Sequence, residues 1–147
     1  MTARLTRADV GCWVLKSARL PDLVAPGWAP GTAVDLTRCV RPSYRLGLIS
    51  VGDPVLLWCS GRADPGVHAT GTVTGAVEAS DDGPVVVVRW VRREPPLPRG
   101  ALLADPVARD AEVLRMPAGS NPSWLSPAQW RAVRDLSPSA AVSPGSG

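Results

Sequence analysis

The chain has no phenylalanine, one tyrosine, one histidine, one lysine and three cysteines among its 147 residues. Each shortage excludes something. Cys12, Cys39 and Cys59 are odd in number and widely spaced, so they do not describe a disulfide framework. They read as three reduced thiols of a cytoplasmic protein. With no Cys-x-x-Cys pair and only His68 beside them, they lack the ligand spacing of a zinc knuckle, and no metal is expected. No apolar run approaches the ~20 residues of a membrane helix. Residues Met1 to Val10 carry Arg4, Arg7 and Asp9 and do not read as a secretory signal. There is no Gly-x-Ser-x-Gly elbow and no phosphate-cradling glycine loop. Asp53 and Asp81-Asp82 fall in turns, where carboxylates commonly serve the turn itself. The reading is therefore no catalytic residue and no cofactor. A Cys–His pair assembled in space from His68 stays open.

What is present is a foldable domain. Hydrophobic residues make up 45% of the sequence, enough for one core at this length. The net charge is +3, and all of the excess precedes Ser60, where seven basic residues face four acidic ones. A basic first part is compatible with a polyanion partner. Lys16 stands alone among arginines. Sixteen prolines and abundant alanine fit the codon bias of a G+C-rich genome, so the arginine preference carries little functional weight.

Read in order, residues 1–10 form an N-terminal extension, 11–136 the domain and 137–147 a disordered Ser, Pro, Gly and Ala tail. Cys12 to Ser17 reads as a strand, with Trp13 and Leu15 on one face and Val14 and Lys16 on the other. Pro21 to Gly31 reads as loop, with one helical turn at Asp22-Leu23-Val24. Val55 to Cys59, apolar on both faces, predicts a buried central strand. Val67 to Val73 alternates, placing Val67, Ala69, Gly71 and Val73 together. Ser80 to Pro84 is a hairpin-type turn leading into a strand from Val85 to Val91. The prolines between Glu94 and Pro98 end that strand. Leu102 to Leu114 reads as one or two short helices broken at Pro106. Ser126-Pro127-Ala128-Gln129 is a capping box that predicts a helix to about Leu136. The pattern is α+β, with a strongly curved or barrel-like mixed sheet and short flanking helices.

The six tryptophans are the informative aromatics, since indoles suit base stacking as well as cores. Trp90 and Trp130 read as core. Trp13 and Trp58 stand equally as core or as pocket, each where a strand runs into a polar segment.

Several stretches together resemble a family. Trp13-Val14-Leu15-Lys16-Ser17 looks like the opening strand of EVE domains. Val51 to Gly61 and Pro65 to Val73 are similar to their next two conserved strands. Arg115 to Ser126, with Asn121, resembles their closing loop. The likeness runs in order from about Cys12 to Val133. EVE domains belong to the PUA-like superfamily, with YTH and ASCH domains. The resemblance implies a curved sheet and a pocket for a modified or flipped base in DNA or RNA. It implies a ligand site of Trp13, Lys16, Ser17, Arg38, Cys39, Val40, Trp58, Ser60 and Asn121. Relatives often carry a tryptophan just before the position of Cys39. Arg38 stands there here, which speaks against a simple methyl cage and adds charge. The expected partner is nucleic acid, with a separate effector protein open. The alternatives are a protein-interaction or small-ligand module on the same fold, and, further off, an enzyme acting on nucleic acid.

Overall fold

The computed structural model describes residues 4–61 and 64–136. The proposed tail at 137–147 lies outside the described residues.

A 3-10 turn at Arg7–Asp9 leads into β1 (Cys12–Ser17), α1 (Pro21–Val24) and β2 (Ala33–Cys39). A second 3-10 turn at Tyr44–Leu48 precedes β3 (Pro54–Cys59), β4 (Gly66–Val73) and β5 (Val85–Pro98). Then follow α2 (Arg99–Ala104), a 3-10 turn at Ala108–Asp110, α3 (Glu112–Arg115), β6 (Ser123–Leu125) and α4 (Pro127–Asp135). The strands make one six-stranded mixed sheet in the order β2-β5-β4-β3-β1-β6, with β1 and β3 parallel. The sheet is curved and open, and the class is α+β. Among the described residues no helix is long and apolar enough to cross a membrane.

The sheet buries both faces, which explains the unbroken apolar run of β3. On the concave face Trp13, Leu15, Leu57, Val88 and Trp90 pack with Trp28 and Val40 from the flanking segments. On the other face Cys12, Val14, Leu56 and Trp58 pack against Leu102, Val113 and Leu114 and against Val133 of α4. The capping box of α4 forms as expected: Gln129 N–H donates to Ser126 Oγ at 3.1 Å, and Ser126 N–H donates back to Gln129 Oε1 at 2.9 Å.

Three expectations are corrected. β5 does not end at the prolines but runs through Glu94, Pro95 and Pro96 to Pro98. Its pairing with β2 stops at Ala33↔Val91, so prolines beyond that point remove no ladder bond on that side. β4 does not keep one alternating face. The register slips between Val67 and Ala69, a bulge that sends Val67 to the helix-covered core and leaves Ala69 and Val73 in the concave one. Finally, β6 is a strand inside the stretch matched to a closing loop, and β2 is a strand in a stretch to which the sequence pattern assigns no element. In β2 the inward side chains are Val34, Leu36 and the charged Arg38, with Asp35 and Thr37 outward, a pattern that masks its apolar face.

Candidate functional site

The C-terminal end of β1, the end of β2 and the loop before β6 meet at one residue, Asn121. Its Oδ1 accepts from Lys16 N–H at 3.1 Å, its Nδ2 donates to the Cys39 carbonyl at 3.3 Å, and its own carbonyl accepts from Arg41 N–H at 2.7 Å. The side chain thus ties β1 to the edge strand β2 across the curl of the sheet. One lone pair and one N–H of the amide have no partner among these bonds.

Cationic side chains gather here. Lys16 Nζ donates to the Pro117 carbonyl at 3.2 Å. Partial burial lowers the Lys16 pKa from its ordinary value; Glu112 opposes that shift, while Arg41 and Arg45 add to it. Arg38 makes only a long contact, 3.5 Å, from Nη2 to the Lys16 carbonyl, and its buried Nε has no partner among the described residues. Arg41 is exposed. Arg45 is different: it forks onto Glu112 at 2.8 and 2.7 Å and onto the Pro122 carbonyl at 3.0 Å, with 13% of its side chain exposed. Lys16, Arg38 and Arg41 therefore face the mouth with no carboxylate of their own among the described residues.

Beside Lys16 and Pro117 lies a recess of about 220 Å³, bounded by Trp58, Ser60, Pro65, Arg99, Val113 and Pro117. That is smaller than the roughly 300–1,000 Å³ of a drug-sized pocket and suits one small ring. Trp58, 3% exposed, is a wall of the recess and presents no open indole face. Ser60 is exposed.

The other sequence-derived candidates do structural work. Trp13 sits at the opposite end of β1, 1% exposed, and its indole N–H donates to Asp53 at 3.0 Å. It is a core residue and does not reach Lys16. Ser17 closes a turn, donating to the Arg19 carbonyl at 2.8 Å and accepting Arg19 N–H at 3.1 Å. Val40 is buried in the concave core. Cys39 is exposed at the mouth. Arg41, Arg45, Glu112, Arg99 and Pro117 escaped the sequence reading. Only Arg41 left a signal there, as the second arginine in Arg38-Cys39-Val40-Arg41.

Among the described residues His68 has no hydrogen bond to a cysteine. Burial pushes the Cys12 thiol well up and the Cys59 thiol to about 11, so both remain protonated, and each donates to a carbonyl. His68 Nε2 lies 2.5 Å from the Asp64 carbonyl. No group of metal-ligating side chains occurs among the described residues.

Two carboxylates make stability depend on pH. For Glu112 and Asp53 burial alone raises the pKa, but bonds from Arg45 and Ser123, and from Arg7, Ser50 N–H and Trp13, outweigh it. Both carboxyls end below their ordinary values. The folded state then binds fewer protons than the unfolded chain, whose Asp and Glu titrate near ~3.9 and ~4.3. The stabilisation is complete above about pH 5 and is lost as pH falls through the folded values. Melting temperature should be flat from pH 5 to 7 and drop below pH 4, with a shallower drop in Asp53→Asn.

No protein-family model and no curated protein matches the sequence. Solved structures do. A hypothetical protein from Leishmania major superposes with a TM-score of 0.68 at 18% identity, over 91% of this chain and 98% of that one. A Pseudomonas putida protein gives 0.63 at 18% identity, over 85% and 98%. The human THYN1 protein, solved in complex with 5-methylcytosine-containing DNA, gives 0.58 at 15% identity, over 85% and 96%. The fold is PUA-like. In this PUA-like sheet the cationic mouth sits where the C-terminal end of β1 meets the edge strand β2.

Proposed function

We propose that the chain is a non-catalytic, EVE-type module that binds nucleic acid and takes a modified or flipped base at the mouth between Lys16, Arg38 and Asn121. The observation that carries this reading is the meeting of Lys16, Arg38 and Arg41 about Asn121 without carboxylate partners among the described residues, with Lys16 bonded to Pro117 at the wall of a ring-sized recess. The human THYN1 protein, of the same fold, was solved in complex with 5-methylcytosine-containing DNA, and this supports the reading here. Lys16 and Arg41 contact phosphate. Arg38 offers its unpartnered Nε–H to an acceptor on the base or its backbone. Asn121 and Ser60 address the base edge with their free donors and acceptors. A base reaches this depth only from a single strand or by flipping out of a duplex. Three free thiols suit a reducing, cytoplasmic setting.

The test is fluorescence anisotropy with labelled single-stranded oligonucleotides, with cytosine or 5-methylcytosine, at low salt. The Lys16→Ala, Arg41→Ala double variant should lose ~10-fold or more in affinity. Its salt dependence should flatten by about 0.7 per cation removed. Arg109→Ala, on an exposed turn and outside the walls of the recess, should bind as the parent does. No binding by the parent to any oligonucleotide, or unchanged binding by the double variant, would sink the proposal.

A further inference from the structure

A second cationic feature lies away from the mouth. Where β5 parts from β2, a cleft of about 390 Å³ is walled by Pro30, Gly31, Thr70, Val91, Arg92, Arg93 and Glu94. Its two arginines are not equivalent. Arg92 is a strut: its Nη1 bonds Asp22 at 2.7 Å and the Trp28 carbonyl at 2.6 Å, and its own carbonyl accepts Gly31 N–H at 2.9 Å. Arg93 is half-buried, yet its side chain has no hydrogen bond and no ion pair among the described residues, and its buried Nε is unpartnered. Glu94 on the rim does not pair with it.

That arrangement is costly without a ligand. A guanidinium keeps its charge, and withdrawing it from water is unfavourable unless an anion or acceptor meets it. Burial lowers the Arg93 pKa from its ordinary value with no opposing carboxylate. Beside it, Thr70 sits between Ala69 and Gly71 and pairs with Val91, and its hydroxyl makes no bond among the described residues. The helices cover the part of this face over β1 and β3, whereas Val91 stays 39% exposed. The cleft thus combines an open approach, an unengaged guanidinium fork, a free hydroxyl and an apolar wall.

We infer that the Arg93–Thr70 cleft is an oxyanion site that takes a phosphate group. The planar fork meets two phosphate oxygens, and the Thr70 hydroxyl donates to one of them. The site lies three strands from Lys16 across β3 and β4 and is displaced along the strands as well, because the register from Lys16 runs through Trp58 and Val67 to Leu97, beyond Arg93. It stands independently of the base-binding reading.

The experiment follows the Arg93 side-chain Nε–Hε resonance in ¹⁵N-labelled protein, assigned with Arg93→Gln. Inorganic phosphate, a single-stranded oligonucleotide and sodium chloride at matched ionic strength are titrated separately. A saturable shift with phosphate, weakened several-fold in Thr70→Val, is the expected result. The same shift with the oligonucleotide makes the phosphate a backbone one; a shift with phosphate alone makes it a free one. An Arg93 resonance unmoved by both, or moved equally by chloride, overturns the inference. If Arg93 stays silent while anisotropy still reports a Lys16-dependent complex, only this inference falls. If Arg93 responds and Lys16 does not matter, only the base-binding proposal falls.

Discussion

Replacing Glu112 by alanine is expected to destabilise the fold by about 2–4 kcal/mol, a fall of roughly 10 °C in melting temperature. Glu112 and Arg45 form a two-pronged pair whose side chains are 19% and 13% exposed. Glu112 also accepts from Ser123 Oγ at 2.8 Å, so one carboxylate ties α3 to the segment after Tyr44 and to β6. Its removal strands a mostly buried guanidinium with only the Pro122 carbonyl, and the lost pairing rather than the lost volume sets the cost. Replacing both partners, Arg45→Met with Glu112→Leu, should therefore cost less than Glu112→Ala alone. Thermal denaturation of the two variants decides the matter. A single variant milder than the double would show that the pair does not anchor this corner.

The strands that build the core were legible because their side-chain pattern has a single cause. In β1 and β3 the chain is buried on both faces or alternates cleanly, which marks both as strands; their parallel register, Trp13↔Val55 to Ser17↔Cys59, is visible only in the structure. The α4 cap was legible for the same local reason. Illegible elements depend on partners distant in sequence. β2 is held by seven pairings to β5, more than forty residues away, and its outward Asp35 is balanced by Arg89 across the strand. β6 has three residues and exists because β1 offers it an edge. The β4 bulge at His68 leaves no compositional mark, yet it reverses the face on which Val67 points.

The candidate site divides in a similar way. Lys16, Arg38, Cys39 and Asn121, separated by up to 105 residues, do come together, and the resemblance rather than any periodicity brought them to notice. Trp13 and Trp58 could not be separated from core residues by sequence, because an indole with a buried ring and a satisfied or edge-facing N–H reads the same either way. The Asp53 carboxylate that receives the Trp13 N–H stands forty residues on. Charge compensation was equally hidden: nothing local distinguishes Arg45, held by Glu112, from Arg41, which is free at the surface.

Gly66→Ala is expected to cost about 3–5 kcal/mol and to abolish binding at the recess. At Gly66 the backbone has φ +149°, and an added Cβ would lie 2.2 Å from the Leu97 carbonyl oxygen, 2.9 Å from Arg99 N and 3.0 Å from Pro98 Cα. All three are backbone atoms and cannot swing aside. β4 and β5 must separate there, at the Gly66↔Pro98 pair. The adjoining bond from Arg99 N–H to the Pro65 carbonyl, 2.9 Å, would go with it, and Pro65 and Arg99 are both walls of the recess. Gly83→Ala supplies the control. Gly83 has φ +105° but nothing within 4 Å of its Cβ position, so only the backbone preference is offended, at ~1–2 kcal/mol, and the site is untouched. Melting temperature and oligonucleotide anisotropy on the two variants separate strain from contact: equal losses would mean that φ alone matters, and that β4 and β5 do not close on each other beside the recess.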